Sequence, residues 1–355
     1  MPDLVTLDGS YGEGGGQIAR TALTLSAITG RPFRLDNIRA NREIGGLRPQ
    51  HLAAVRAMAH LCAARVQGAE LGSRSLLFEP TASAAAGEYA LDIVALTDAQ
   101  SAGSTSLLLQ TLLLPLALAR GDSRVVLAGG THVAWSPPYH YLAEVYLPLL
   151  WRLGLEVRLE LGRWGWYPRG GGEITACITG GAARDTLRPL LLIDRGRLLS
   201  VWGLSVASNL PEHIVERQRD RALARLRARH IKARIETPSA PSPGLGTLLF
   251  LVAEFEHANA GFTGYGRLRY PAEKVADDAC DAFEAYLKGG GALDPHAADQ
   301  ALLPLALAPG VSRFTTSAVT RHLLTNAWVI DQFSVGQITV EGEEGQPGSV
   351  AVTAG

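Results

Sequence analysis

Two side chains near opposite ends of the 355-residue chain, Glu13 and His322, occupy settings suited to phosphate chemistry. Glu13 lies in "GEGGGQIAR" (12–20), between a strand pattern and a helix pattern, where free backbone N–H groups can cradle phosphate. The run is not a P-loop, because no Lys-Ser/Thr follows it. Gly14, Gly16 and Ala19 match the dinucleotide fingerprint with Asp36 further on, which keeps a nicotinamide-dependent oxidoreductase open as a reading. Against it, "LVTLDG" ends several residues before Gly14, and Glu13 is awkward beside a pyrophosphate unless it holds a bridging metal. His322 falls in the first turn of a helix predicted over "RHLLTNAWVIDQF", with Thr320 as its N-cap. There the positive end of the helix dipole favours neutral imidazole, and unpaired N–H groups can hold phosphate oxygens. A packing role is the plain alternative. Many nucleotidyl-transferring ligases use lysine in a Lys-x-Asp-Gly setting, which none of Lys232, Lys274 or Lys288 has, so for such chemistry histidine would be an alternative nucleophile.

A second set of polar residues interrupts otherwise apolar segments: Arg20, Arg39, Gln50, His51, Gln110, Asp299 and Gln300. Gln50 and His51 open a predicted helix after Gly45-Gly46, Arg39 follows a strand end, and Asp299-Gln300 is expected to head another helix. Helix starts and strand ends are where α/β folds assemble a site, so these residues, Glu13 and His322 are expected to share one polar cleft.

The elements that must position them alternate along the chain in α/β fashion. "DLVTLDG" reads as a strand, "GQIARTALTLSAITG" as a helix ended by Gly30, "PFRLDNIR" as a strand and "LRPQHLAAVRAMAHLCA" as a helix. One αβ unit is used at least twice, since "LLPLALARGDSR" (113–124) returns as "LLPLALAPGVSR" (302–313). The expected division is a main domain of repeated αβ units over 1–184 and 288–355, with a smaller α/β domain inserted at 185–287. The insert carries an arginine-rich helix, "PEHIVERQRDRALARLRARH", read as a solvated face rather than an RNA contact.

Composition narrows the function classes. With 47% hydrophobic and 19% charged residues the chain is an ordinary globular protein. A net charge of −1 excludes a global basic field, so any nucleic-acid site must be local. Cys62, Cys177 and Cys280 form no CxxC, which argues against a disulfide framework or thiolate metal site and fits a reducing cytosol. The start "MPDLVTLDGS" lacks signal-peptide character, and the apolar run 106–119 is broken by Gln110 and Pro115. A cytoplasmic protein with no membrane partner is expected.

Six blocks in order, "LDGSYGEGGGQIARTALTLSAITG", "IRANREIGGLRPQHLAAV", "SAGSTSLLLQTLLLPLALA", "YPRGGGE", "ADQALLPLALA" and "RHLLTNAWVIDQF", make the chain resemble the RNA 3′-terminal phosphate cyclases over nearly its whole length. The resemblance implies repeated βαβ-type units akin to the enolpyruvyl transferases, with one smaller inserted domain. It implies ATP as substrate, Mg²⁺ or Mn²⁺, an RNA bearing a 3′-phosphate as partner, and a histidine–AMP intermediate. It places the nucleophile on His322, the metal-associated carboxylate on Glu13, and contacts to the RNA end or phosphates on Arg20, Arg39, Gln50 and His51. Nucleotide contacts fall on Gln110, Pro138, Phe262, Asp299, Gln300 and His322. This sequence departs from the family pattern at Trp164-Gly165, at His296 where an aromatic often stands near adenine, and in "GGTHVAWSPP" (129–138) with His132 and Trp135. A non-catalytic branch of the family serves ribosome assembly, and retention of His322 and Glu13 argues against it. The sequence leaves open whether the chain forms a homodimer, and which RNA it acts on.

Overall fold

Residues 3–355 are described by a computed structural model. The helix expected after the glycine-rich run forms at Gln17–Thr29 and stops at Gly30, whose φ of 71° supplies a left-handed C-cap. It lies between the parallel strands Val5–Asp8 and Phe33–Asp36. A second helix, Pro49–Leu61, leads into Arg65–Gln67 and Leu76–Glu79, which pair antiparallel to complete a four-stranded sheet. Numbered along the chain, its strands lie in the order first, second, fourth, third.

The same topology recurs twice. Strands Glu88–Asp92, Ser123–Gly129, Val157–Arg163 and Gly172–Ile178 repeat the order and the parallel–antiparallel–antiparallel pairing, with helices at Thr105–Ala117 and 139–152. Strands Leu191–Leu192, Val311–Thr316, Gly336–Glu341 and Gly348–Ala354 do so again, with helices Pro295–Leu307 and Arg321–Gln332. The sequence repeat at 113–124 and 302–313 marks the same step in the second and third units, from a Pro-containing helix through a glycine turn into the second strand. In the first unit "LTLSAITGRPF" (23–33) makes that step with residues that no longer match. Strand burial alternates, as in BeBiBiB for Ser123–Gly129, so each sheet turns one face to its helices. The units join through those helices: Gln17–Thr29 packs on Thr105–Ala117 and on Arg321–Gln332, around one large apolar core.

A fourth sheet interrupts the third unit between its first strand and first helix. Its strands, Ala233–Glu236, Leu198–Ser208, Gly246–Phe255 and Asn259–Tyr265, lie in that spatial order and carry the helices His213–Ala228 and Ala272–Gly289. The short strand Leu191–Leu192, placed by sequence within the insert, pairs instead with Val311–Thr316 of the third unit. Gly246–Phe255 is buried on both faces, as its unbroken apolar run requires. Leu248, Phe250 and Val252 enter the main core, while Leu249, Leu251 and Ala253 enter a second core between this sheet and its own helices.

The arginine-rich helix is paired rather than simply solvated. Arg217 bonds Glu273, Arg221 bonds Asp277, and Arg225 reaches Asp277, Asp281 and Glu284, all on the neighbouring helix Ala272–Gly289. Among the described residues no helix is long and apolar enough to cross a membrane.

Candidate active site

The first turns of six helices, two from each unit, converge on one cleft of about 1190 Å³. In every unit the helices follow the ends of the first and second strands, so their N-termini gather on one side. Gly16, Gln17, Arg20, Gln50 and His51 come from the first unit, Gln110, Pro138 and Tyr141 from the second, and His296, Asp299, Gln300 and His322 from the third. Six converging helix N-termini are a strong anion-attracting arrangement, since each leaves N–H groups without intrahelical partners. The cleft holds every sequence-expected site residue: Glu13, Arg20, Arg39, Gln50, His51, Gln110, Pro138, Phe262, Asp299, Gln300 and His322. Phe262 comes from the fourth sheet, which forms one wall with Tyr265, Tyr286 and Lys288. One local expectation is corrected: Asp299 and Gln300 do not head their helix, which starts a turn earlier at Pro295, capped by the Asp294 carboxylate.

His322 occupies the second position of its helix, and the Thr320 hydroxyl accepts from the Leu323 N–H at 3.1 Å, the expected cap. Desolvation in the cleft, then Arg20, His296 and Arg42, brings the imidazole pKa down to about 4. It is neutral at physiological pH although its side chain remains 45% exposed. Its Nδ1 stands 3.9 Å from Glu13 Oε2. The negative carboxylate favours the tautomer with hydrogen on Nδ1, leaving the Nε2 lone pair free.

The Glu13 backbone N–H donates to Thr325 Oγ1 at 3.1 Å, and its carboxylate pairs with Arg42, a residue that sequence reasoning passed over. The other oxygen, Oε2, is buried without a hydrogen-bond partner. An orphaned carboxylate oxygen fits a hard divalent cation. Among the described residues no cluster of three His, Cys, Asp or Glu side chains could complete a protein cage, so such an ion would take its other ligands from phosphates and water.

The glycine-rich loop is shaped by side chains pressed against its backbone. At Gly16 a Cβ would fall within the van der Waals shell of His51 Nε2, and Gly14 adopts a φ of 61° against Asn41. His51 itself is 4% exposed and strongly desolvated, beside Arg20, Arg39 and Arg48, so its pKa lies well below the ordinary value. The Arg48 N–H donates to its Nδ1 at 3.2 Å, which puts the ring hydrogen on Nε2, against the Gly16 backbone and 3.3 Å from the Gln50 side-chain amide. Arg20 stays charged with its pKa lowered to about 10, by burial against the opposing pull of Asp299. Arg39 donates to the Ile44 and Gly46 carbonyls at 2.7 and 3.2 Å, so its guanidinium is aimed before any ligand arrives.

Hydrogen bonds stitch the units together around the cleft. Gln17 donates to Asn326 at 2.9 Å, Gln110 to Gln300 at 2.7 Å, and the Tyr141 hydroxyl to Asp294 at 2.8 Å. His296 meets Tyr141 edge to face at 6.3 Å between ring centroids. Arg42, Gln17, Asn326, Tyr141 and Asp294 were all missed from sequence. Thr21 and Asn326 sit in apolar helices, where a buried polar residue was the available clue.

The family profile described as RNA 3′-terminal phosphate cyclase matches residues 11–340. The chain is 49% identical to the RNA 3′-terminal phosphate cyclase of Methylococcus capsulatus over 349 residues, 98% of this chain and 96% of that protein. It is 47% identical to that of Nostoc punctiforme over 337 residues, covering 95% and 96%. The Methanopyrus kandleri protein of the same description is 42% identical over 358 residues, covering 98% of each.

Proposed function

We propose the following reaction for this chain, which belongs to the RNA 3′-terminal phosphate cyclase family. It is an ATP-dependent enzyme that converts an RNA 3′-phosphate end to a 2′,3′-cyclic phosphate. The observation that carries the reading is a neutral histidine at a helix N-terminus, 3.9 Å from an orphaned carboxylate oxygen. The recurring β-α-β-α-β-β unit supports the likeness to enolpyruvyl transferases, and the second core supports treating the fourth sheet as an inserted domain.

His322 Nε2 attacks the α-phosphorus of ATP, forming a P–N bond as the bond to pyrophosphate breaks. The N–H groups of its own first turn hold the α-phosphate oxygens as charge builds on them. Mg²⁺ or Mn²⁺ at Glu13 would offset phosphate charge and steady the departing pyrophosphate. Gln110, Pro138, Phe262, Asp299 and Gln300 hold the nucleotide. Arg20, Arg39 and the His51 Nε2–H orient the RNA 3′-phosphate, because planar guanidinium groups bind phosphate oxygens in pairs. An oxygen of that phosphate displaces His322 from the AMP phosphorus, giving an RNA(3′)pp(5′)A end. The adjacent 2′-hydroxyl then attacks the RNA phosphorus, loses its proton and expels AMP. The setting we propose is the cytoplasm, and a net charge of −1 supports recognition of the RNA end rather than a long duplex.

The test is intact mass after incubation with ATP and Mg²⁺ at neutral to alkaline pH. Wild type should gain one AMP and His322→Asn none, with matching thermal melts, and 3′-phosphorylated RNA should discharge the adduct. Absence of an adduct on wild type with either metal would reject the reaction in favour of a binding role in ribonucleoprotein assembly.

A further inference from the structure

Trp135 is 100% exposed although it lines the cleft, and it holds a φ of 65°, a left-handed conformation that bulky residues rarely adopt. An indole left wholly in water on a strained backbone is doubly unfavourable, and the loop around it explains how the arrangement persists. The Thr131 and His132 N–H groups both donate to the Gly165 carbonyl at 3.0 Å. The buried His132 ring stacks on Trp164 at 4.0 Å and bonds Thr131 Oγ1 and His140 Nδ1 at 2.8 and 3.0 Å. Ser136 Oγ closes the turn onto the Val133 carbonyl at 2.9 Å, and Pro137-Pro138 stiffens the exit. The loop is therefore clamped on both sides of Trp135, and its tip presents a flat π-surface with no protein covering either face.

We propose that Trp135 is a positioning residue on which a nucleobase at the 3′ end of the RNA stacks. The inference rests on the reaction proposed above. Two ligands bring bases to this cleft, and the geometry separates them. Pro138, Phe262 and Tyr141 with His296 offer enclosed apolar surface for a base held inside the cleft, whereas Trp135 stands bare at the mouth. ATP fits within the cleft, but an RNA strand must leave through the mouth once its terminal phosphate reaches Arg20, Arg39 and His51. A base passing over that lip covers the indole. Every base has a π-face, so the contact is tolerant of sequence, which suits an enzyme that recognises an end.

The experiment compares wild type, Trp135→Ala and Trp135→Phe in two half-reactions. AMP transfer from ATP to His322 needs no RNA, and discharge of the adduct by a 3′-phosphorylated oligoribonucleotide does. Loss of one stacking partner predicts a ten- to hundredfold rise in the RNA concentration for half-maximal discharge in Trp135→Ala. Its adenylylation should stay within about twofold of wild type, and Trp135→Phe should recover most of the RNA affinity. A raised requirement for ATP instead would assign the indole to adenine and overturn the proposal. Unchanged RNA dependence would overturn it as well, as would equal loss in both half-reactions with a lowered melting temperature. If wild type forms no adduct at all, the underlying reaction has failed rather than the role of Trp135.

Discussion

Asp299→Asn should flatten the pH dependence of stability, in a direction that the structure fixes. The Asp299 carboxyl is 9% exposed, and burial first of all raises its pKa to about 8. Arg20, facing it from the first unit, lowers the value and Asp294 raises it. Tyr141 and Tyr146 face it from the second unit and are themselves held protonated well above neutrality. Asn326 bonds the Asp299 backbone carbonyl, not its carboxyl. In the unfolded chain this carboxyl titrates near 3.8. Because the folded value is the higher one, the associated stability is complete below the unfolded pKa and is lost as pH rises through the folded one. Each pH unit inside that window costs at most about 1.4 kcal/mol, so about 4 kcal/mol is the ceiling between pH 5 and pH 8. Relaxation and water entry around a buried charge reduce such penalties, and we expect about half. Asparagine keeps the shape and does not titrate. Urea unfolding of both proteins at the two pH values should show wild type losing about 2 kcal/mol relative to the variant as pH rises. A difference that stays flat, or moves in favour of wild type, refutes a buried neutral carboxyl.

Three further outcomes follow from the same structure. Adenylylation of His322 should hold its rate from about pH 8 down to about pH 5, because the imidazole protonates only near 4; a decline centred on the ordinary histidine value of 6.5 would contradict the shift. Gly16→Ala should displace His51 and lower stability by about 1–3 kcal/mol, with adduct discharge by RNA slowed more than adduct formation; a variant with wild-type melting and discharge would show that the loop has room to spare. Arg225→Ala should destabilise the protein by about 1 kcal/mol, less in high salt, because Arg225 joins three carboxylates of the partner helix. Its RNA requirement should not change, and a salt-sensitive loss of RNA affinity would return that helix to the RNA path.

The gathering of the candidate residues in one cleft was legible because many of them sit at helix starts, where sequence is informative. Thr320 followed by an apolar period announced the His322 helix, and Gly30 announced the end of the first one. Arg42 was not legible, because "RANREIGG" folds as irregular turns in which no period says which arginine faces inward. Asp294 and Tyr141 escaped because their bond joins residues 153 positions apart. The arginine-rich helix showed its charge but not its acidic partner, which lies some fifty residues further on. The repeat was visible twice and present three times, since the first unit keeps the topology after losing the side chains that made the other two recognisable.

The strand Gly246–Phe255 bears on how substrates enter. Its alternate side chains belong to two different cores, with Leu248, Phe250 and Val252 on one side and Leu249, Leu251 and Ala253 on the other. Swinging the inserted sheet away from the body, as the jaws of a hinged enzyme swing, would expose one of those rows. At about 1.5–3 kcal/mol for each large apolar side chain, that motion costs as much as a substantial part of a domain's stability. The wall bearing Phe262, Tyr265 and Tyr286 is thus a fixed jamb rather than a moving door. Substrates must therefore thread into a cleft already near its working width, without a swing of the inserted sheet.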